Sequence, residues 1–202
     1  MISLFWGLWQ YLFSKAEVHL LIIGLDYAGK TTLLEQLKTM FGKKAGIPLD
    51  KIPPTVGLNI AKVDISRTNV IFWDLGGQER LRAIWSKYYS ESHGVVFVVD
   101  SSDPARFDEA RAALASMLAH PELSDVPLLV LANKSDLDTA QTSAELTARL
   151  ELDRLAESHQ WTQRPISALT TGIADAVTWF VSAVKQTDRF QAKQQQATNS
   201  RV

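Results

Sequence analysis

The run Val18-His19-Leu20-Leu21-Ile22-Ile23, continued by Gly24-Leu25-Asp26-Tyr27-Ala28-Gly29-Lys30-Thr31 and then by Thr32-Leu33-Leu34, decides the fold. A short apolar run closed by glycine suits a strand buried on both faces. The eight residues after it match G-x-x-x-x-G-K-[ST], placed where that pattern must lie to hold phosphate, directly after a strand and directly before a helix. Gly24 and Gly29 permit a tight turn whose backbone N–H groups point inward at phosphate oxygens, and the helix N-terminus adds positive partial charge. Lys30 would reach the β and γ phosphates, and the Thr31 hydroxyl would hold Mg²⁺. The competing reading, a glycine-containing turn that binds nothing, is disfavoured by the strand and helix on either side. The motif selects nucleotide phosphate without selecting the base.

Outward from this motif, VIFWD at 70–74, GVVFVVD at 94–100 and PLLVLAN at 127–133 read as further buried strands, with helical segments at about 30–41, 104–119 and 173–187. Strands alternating with helices imply an α/β fold with a doubly wound, mostly parallel sheet. GLNIAKVDI, then SRTN, then VIFWD reads as a β-hairpin, which makes one strand antiparallel. Three parts follow: an apolar amphipathic helix at 1–17, one domain at 18–190, and a polar tail at 191–202. The Gln-rich tail, QAKQQQATNSRV, has too few apolar residues to order itself and is expected to be disordered. No internal repeat is found.

Composition narrows the function classes. A length of 202 residues fits one domain with short appendages. Lys plus Arg total 21 against 22 Asp plus Glu, so no general field favours nucleic acid. The absence of cysteine excludes disulfides, thiolate metal sites, prenylation and S-palmitoylation. No apolar run approaches the roughly 18 to 20 residues that span a bilayer, and the body is expected to stay in water.

Asn133-Lys134-Ser135-Asp136 follows the PLLVLA strand, at the carboxyl edge where doubly wound sheets bind ligands. The Asp136 carboxylate can accept from guanine N1–H and N2–H₂ together, a donor pair that adenine lacks. Lys134 would lay its stem along the base, Asn133 would tie this loop to the phosphate loop, and Ser167-Ala168-Leu169 would supply a backbone N–H to guanine O6. Thr55, in a loop before a strand, can coordinate Mg²⁺ and contact a γ-phosphate only when GTP is present. Asp74 ends a strand and can hold Mg²⁺ through water, and the Gly77 N–H can bind the γ-phosphate with no Cβ in the way. Gln78 can accept from an attacking water and donate toward the γ-phosphate. Taken singly, Thr55 as a turn residue, Asp74 as a strand-end cap and Gln78 as a solvated side chain would be favoured, and NKSD would be an ordinary polar turn. Their order and company argue otherwise.

GLDYAGKTT, PTVGLNI, WDLGGQE, NKSD and SAL, in this order across 18–187, closely resemble the Arf and Arf-like branch of the Ras-superfamily GTPases. Within that branch, TVGLNI, FGKKAGIPLDKIP and WGLWQYLFSK resemble the Arf-related protein subgroup. The resemblance implies a Ras-like G domain with a six-stranded sheet. It implies GTP and GDP as ligands of Gly24, Asp26, Ala28, Gly29, Lys30, Thr31, Thr32, Thr55, Gly77, Asn133, Lys134, Asp136, Ser167 and Ala168. It also implies an exchange factor, a GTPase-activating protein, and effectors at Leu58, Trp73 and Tyr88, with residence in the cytosol and on Golgi and trans-Golgi membranes in vesicle traffic. A hairpin between the switches that slides on GTP binding and displaces the N-terminal helix is implied as well. Several positions depart from the commoner Arf pattern. Ile2 replaces the glycine needed for myristoylation, Leu58 replaces a usual Phe, and Tyr27 stands where a small or amide side chain is usual, its ring expected to face outward. Asp26 puts a carboxylate near Gln78 and the γ-phosphate, which implies slow intrinsic hydrolysis.

Within residues 2–13 and on to Ser14, the non-apolar positions Ser3, Gly7, Gln10 and Ser14 form one narrow helical stripe, and large apolar side chains cover the rest. Such a helix docks on the domain or engages a membrane or membrane receptor reversibly. Its Trp and Tyr content favours the second reading, and the lack of basic residues before Lys15 favours a receptor over anionic lipid alone. His19, His93, His120 and His159 show no metal spacing, Trp161 and Trp179 read as core or rim, and Arg80 and Arg82 read as solvated charge. The regulatory GTPase has two competitors: a scaffold that binds GTP without hydrolysing it, disfavoured by Gln78, and an ATP-using kinase, disfavoured by NKSD.

Overall fold

The computed structural model describes residues 17–42 and 46–199; of the segment read as an N-terminal helix, residues 1–17, all but Glu17 lies outside the described residues. Six strands form one sheet in the order β2-β3-β1-β4-β5-β6, with β1 Glu17–Ile23, β2 Leu58–Ile65, β3 Thr68–Leu75, β4 Gly94–Asp100, β5 Leu128–Asn133 and β6 Trp161–Pro165. Only the β2–β3 pair is antiparallel. The helices are α1 Lys30–Phe41, α2 Glu79–Arg82, α3 Phe107–Leu118, α4 Ser143–Arg149, α5 Leu152–Leu155, α6 Ile173–Lys185 and α7 Asp188–Asn199. The chain leaves β1 toward β3 on one side and β4 on the other, so a crevice opens beyond the carboxyl end of β1, at the switch in strand order.

Alternation along β1 builds the two core layers. Leu20 and Ile22 face one layer with Leu33, Leu37 and Phe180 from α1 and α6, and Leu21 and Ile23 face the other with Phe107 and Leu114 from α3. All of these are essentially without solvent contact. Each fully buried side chain of this size contributes about 1.5 to 3 kcal/mol relative to exposure.

The hairpin turns more tightly than SRTN suggests, because Thr68 and Asn69 belong to β3 and only Ser66 and Arg67 bridge the strands. Both sit in the left-handed region, with φ 50 and 61, the requirement of the two-residue turn that matches strand twist. A left-handed L-residue is strained by about 1–2 kcal/mol. Arg67→Gly should therefore stabilise the fold by about 0.5–1 kcal/mol after the entropic cost of glycine, raising the melting temperature by about 1–3 °C. A melting temperature at or below the parent's would show that the turn holds no such strain.

Two elements differ from the sequence reading. β6, Trp-Thr-Gln-Arg-Pro, is a sheet-edge strand with no apolar run, which hid it. Residues 191–199, expected to be disordered, continue the helix α7. Its sequence lacks Gly and Pro and is rich in Gln, with Ala, Lys and Arg, all tolerant of helix. Its start is anchored by Phe190, buried against the His93 ring, and by Arg189, which donates to the carbonyls of Tyr89, Ser90, Ser92 and Glu122 and pairs with Asp125 at 2.7 Å. One buried phenyl and one saturated guanidinium do here what a longer apolar stripe would do elsewhere. The domain's first strand also begins at Glu17, one residue earlier than read.

Candidate nucleotide site

The turn from β1 into α1 is bounded by glycines that the geometry demands. Gly24 has φ 139, and a Cβ there would lie 2.2 Å from the Val98 carbonyl oxygen; Gly29 has φ 93, and its Cβ would lie 2.2 Å from Asn133 Nδ2. Asn133, buried at the end of β5, donates from Nδ2 to the Ala28 carbonyl at 2.8 Å and accepts the Ala168 N–H at Oδ1, also at 2.8 Å. One amide thus fastens the phosphate-type loop, the NKSD turn and the SAL loop together. Between them lies a cleft of about 500 Å³, bordered by Asp26, Gly29, Lys30, Thr31, Thr32, Thr55, Gly77, Gln78, Lys134, Asp136, Ser167 and Ala168, with Ile52, Pro53 and Pro54 along its rim. Gly24, Ala28 and Asp74 stand behind this lining and shape it.

At the inner end, the Lys30 ammonium is buried and donates to the Leu25 carbonyl at 2.6 Å. Burial pushes its pKa down to about 8, against the opposing pull of Asp74 and Asp26. Among the described residues no carboxylate pairs with it directly, and a phosphate in the cleft would be such a partner. Beside it, Thr31 Oγ1 lies 2.6 Å from Thr55 Oγ1 and donates to Asp74 Oδ2 at 2.8 Å. Asp74 is fully buried, burial raises its pKa to about 6, and its Oδ1 has no partner. Two hydroxyls and a buried carboxylate with an orphaned oxygen form a hard oxygen set that suits Mg²⁺. Gly77 packs against the loop so closely that a Cβ would meet Asp26 N and Gly24 O at 2.4 Å. Gln78 follows at the mouth of the cleft, its Oε1 accepting from Arg80 Nε at 3.1 Å.

At the outer end, Asp136 is exposed on the rim. The Ser135 N–H and hydroxyl both donate to the Ile166 carbonyl, at 3.1 and 2.8 Å, fixing the turn that carries Asp136. Lys134, at φ 62, is ion-paired through its ammonium to Asp100, which draws the aliphatic stem along the cleft. Leu169 and Leu137, the latter not singled out from the sequence, add exposed apolar flanks. The Ser167 N–H is bonded to Thr171 O and the Ala168 N–H to Asn133, leaving the Leu169 N–H, in a long 3.3 Å contact with Ser167 Oγ, as the donor most easily turned to a ligand.

Other expectations are corrected or filled in. Arg82 is not solvated: it donates to the Gly77 carbonyl at 2.9 Å and pairs with Glu109. Asp26 does not face the cleft as a bare charge, because Arg106 binds its carboxylate at 2.6 Å and its carbonyl at 2.9 Å. Arg106 lies 80 residues from Asp26, and no local signal marks the pair. The Tyr27 ring is 77% exposed on a left-handed residue. Trp73 and Tyr88 pack ring on ring at 5.6 Å and share one apolar cluster with half-buried Leu58; Ile60, opposite Trp73, adds an exposed side chain. His93 is buried, with burial pushing its pKa down to about 3, and it accepts the His19 N–H. No cluster of three metal-ligating His, Asp or Glu residues occurs among the described residues, and none of their helices is long and apolar enough to cross a membrane.

Comparison with known proteins agrees with this geometry. The profile of the ADP-ribosylation factor family matches residues 5–184. ADP-ribosylation factor-related protein 1 of Bos taurus is 44% identical over 187 residues, covering 91% of this chain and 93% of its own. The Homo sapiens protein of that name gives the same figures. ADP-ribosylation factor-like protein 3 of Saccharomyces cerevisiae is 42% identical over 180 residues, covering 87% and 89%. Among solved structures, the Arl6 BBS3 small GTPase from Trypanosoma brucei with bound nucleotide analogue GppNp aligns with a TM-score of 0.76 at 30% identity, over 85% of this chain and 99% of that one. This chain belongs to the ADP-ribosylation factor family of small GTPases, enzymes that bind guanine nucleotide and hydrolyse GTP.

Proposed function

We propose that the protein is a GTP-operated regulatory switch that recruits effectors to Golgi and trans-Golgi membranes in vesicle traffic, cycling between cytosol and membrane. The observation that carries the switch is the meeting of Thr31, Thr55 and Asp74. Thr55 belongs to a loop 24 residues beyond Thr31, and its hydroxyl meets the Thr31 hydroxyl and the Asp74 carboxylate. A shared Mg²⁺ and γ-phosphate would hold it there, and loss of that phosphate would free it. Mg²⁺ would be held by the Thr31 and Thr55 hydroxyls, with Asp74 acting through water, and would supply charge neutralisation to the β and γ phosphates. In this reading Lys30 and the loop N–H groups from Asp26 to Thr32 bind the phosphates. Asn133, Lys134, Asp136, Ser167 and Ala168 form the guanine end. Gly77 senses the γ-phosphate, and Gln78 orients water. An exchange factor would open the cleft, an activating protein would complete the catalytic site, and effectors would read the apolar surface at Leu58, Trp73 and Tyr88.

The membrane half rests on the apolar face of residues 2–13, whose large side chains need cover. With GDP they would lie in a groove of the domain; ordering Thr55 and Gly77 around GTP pulls on both ends of the hairpin β2–β3, and a hairpin moved into the groove would expel them toward a membrane or membrane-protein receptor. The test compares association of the GDP and GTP-analogue forms with liposomes and Golgi membranes, with Phe5, Trp6 and Trp9 changed to Ala as control. The GTP-analogue form is expected to bind several-fold more, and the triple variant to lose the difference. Equal association of both forms, untouched by the three changes, would leave the helix a structural element.

A further inference from the structure

Five polar contacts outside the cleft join the phosphate loop to the segment carrying Gln78. Arg106, just before α3, donates from Nη1 to the Asp26 carbonyl at 2.9 Å and from Nη2 to Asp26 Oδ1 at 2.6 Å. Its Nε reaches Glu109 Oε2 at 3.0 Å. The other oxygen of Glu109 binds Arg82 Nη2, and Arg82 Nε donates to the Gly77 carbonyl at 2.9 Å. Glu109 thus divides its two oxygens between two arginines, which hold its carboxyl below the usual range. Gly77 and Asp26 are joined twice: by direct backbone packing, where a Cβ on Gly77 would strike Asp26 N at 2.4 Å, and by this chain of side chains.

The two ends of the chain belong to parts with different freedom. Arg106 and Glu109 ride at the start of α3, whose Phe107, Ala110 and Leu114 are locked in the core. Arg82 rides on the four-residue helix α2, which buries none of its residues. If the Gly77 segment withdraws from the phosphate loop, Arg82 must leave with it, and the links to Glu109 open while the Arg106–Asp26 pair stays.

We propose that Arg82, Glu109 and Arg106 form a positioning relay that clamps Gly77 and Gln78 against the phosphate loop when the γ-phosphate is present. The relay sets the preference for GTP over GDP without any of the three touching nucleotide. This rests on the assignment of Gly77 as the γ-phosphate sensor made above. Because the clamped and released arrangements differ in these contacts, only the clamped one loses stability when they are cut. The ion pairs are partly exposed and contribute modestly, but Arg82 adds a charge-assisted hydrogen bond to the Gly77 carbonyl, and together the effect is on the order of a tenfold change.

The experiment measures affinity for GppNp and for GDP, each with Mg²⁺, in the full chain and in Arg82→Ala, Glu109→Gln and Arg106→Ala. Arg82→Ala and Glu109→Gln are expected to weaken GppNp binding about tenfold and GDP binding less than about twofold. The double variant Arg82→Ala/Glu109→Gln should be no weaker than the worse single one, since either change opens the same link. Arg106→Ala should also weaken GppNp selectively, and Glu109→Asp should recover part of the loss. Equal weakening for both nucleotides, with a lowered melting temperature, would mean ordinary structural pairs and overturn the proposal, as would an unchanged ratio in all three variants. Lys30→Ala separates the two readings: it should lose both nucleotides, and if it keeps both, the cleft assignment fails whatever the relay does.

Discussion

Asp136→Asn is expected to exchange the base preference of the cleft, lowering GTP affinity by about 10³-fold or more while making xanthosine triphosphate the better ligand. The argument begins with donors and acceptors. A carboxylate offers only acceptors, matched by guanine N1–H and N2–H₂; an amide turned to present its NH₂ to the base offers donors, matched where xanthine carries a carbonyl in place of the amino group. Sites built around such hydrogen bonds reject mismatched ligands by about 10⁴–10⁵, because buried polar groups are left unpaired. Asp136 lies on an exposed rim, which lowers the expected factor. Its place is set by backbone and hydroxyl bonds of Ser135 to Ile166 O rather than by its own carboxylate, so the substitution should leave the turn intact. Competition between GTP and xanthosine triphosphate for parent and variant measures the exchange. An unchanged preference for guanine would remove Asp136 from the base site.

What could be read in the sequence follows the range of the interactions. The turn Gly24–Thr31 is legible because its chemistry is written in eight consecutive residues, and Asn133 because it ends a strand whose apolar run is plain. The doubly wound sheet follows from Leu21, Val96 and Val130 and their neighbours, each in a short buried run. β6 escaped because an edge strand needs only one covered side, and Trp161 to Pro165 show neither a run nor an alternation. The α7 helix escaped because its order comes from Arg189 reaching a carboxylate 64 residues away and carbonyls 67 to 100 residues away, which no composition count registers.

The site divides in the same way. Thr31, Thr55 and Asp74 could be assigned before they were seen together, since each is the residue type its position needs. Their partners could not. Asp100, which steadies Lys134, reads in sequence as a strand end, and Arg106, which neutralises Asp26, reads as one more helix-start charge. The expectation that Asp26 acts through a bare charge did not foresee Arg106, which pairs with its carboxylate at 2.6 Å.

Gln78→Leu should leave GTP binding intact and reduce activator-stimulated hydrolysis by about 10³-fold or more, the second large effect. Leucine keeps the bulk but has no carbonyl to accept from an attacking water and no N–H to offer the γ-phosphate. In the structure the Gln78 side-chain Oε1 already accepts from Arg80 Nε at 3.1 Å, so the atom proposed to orient water would have to be released first. The surrounding arginines cannot stand in for a partner's. Arg82 is spent on Gly77 and Glu109, Arg106 on Asp26 and Glu109, and Arg80 on Gln78 itself. On the proposed function an activating protein would bring an arginine in trans, a contribution of roughly 10³–10⁵ in comparable GTPases, and would act fully only with Gln78 there to align the water. Single-turnover measurements with activator present decide the matter. A Leu variant that hydrolysed GTP as fast as the parent would exclude Gln78 from catalysis and move the search for the water-positioning group to the Thr55 backbone and the incoming protein.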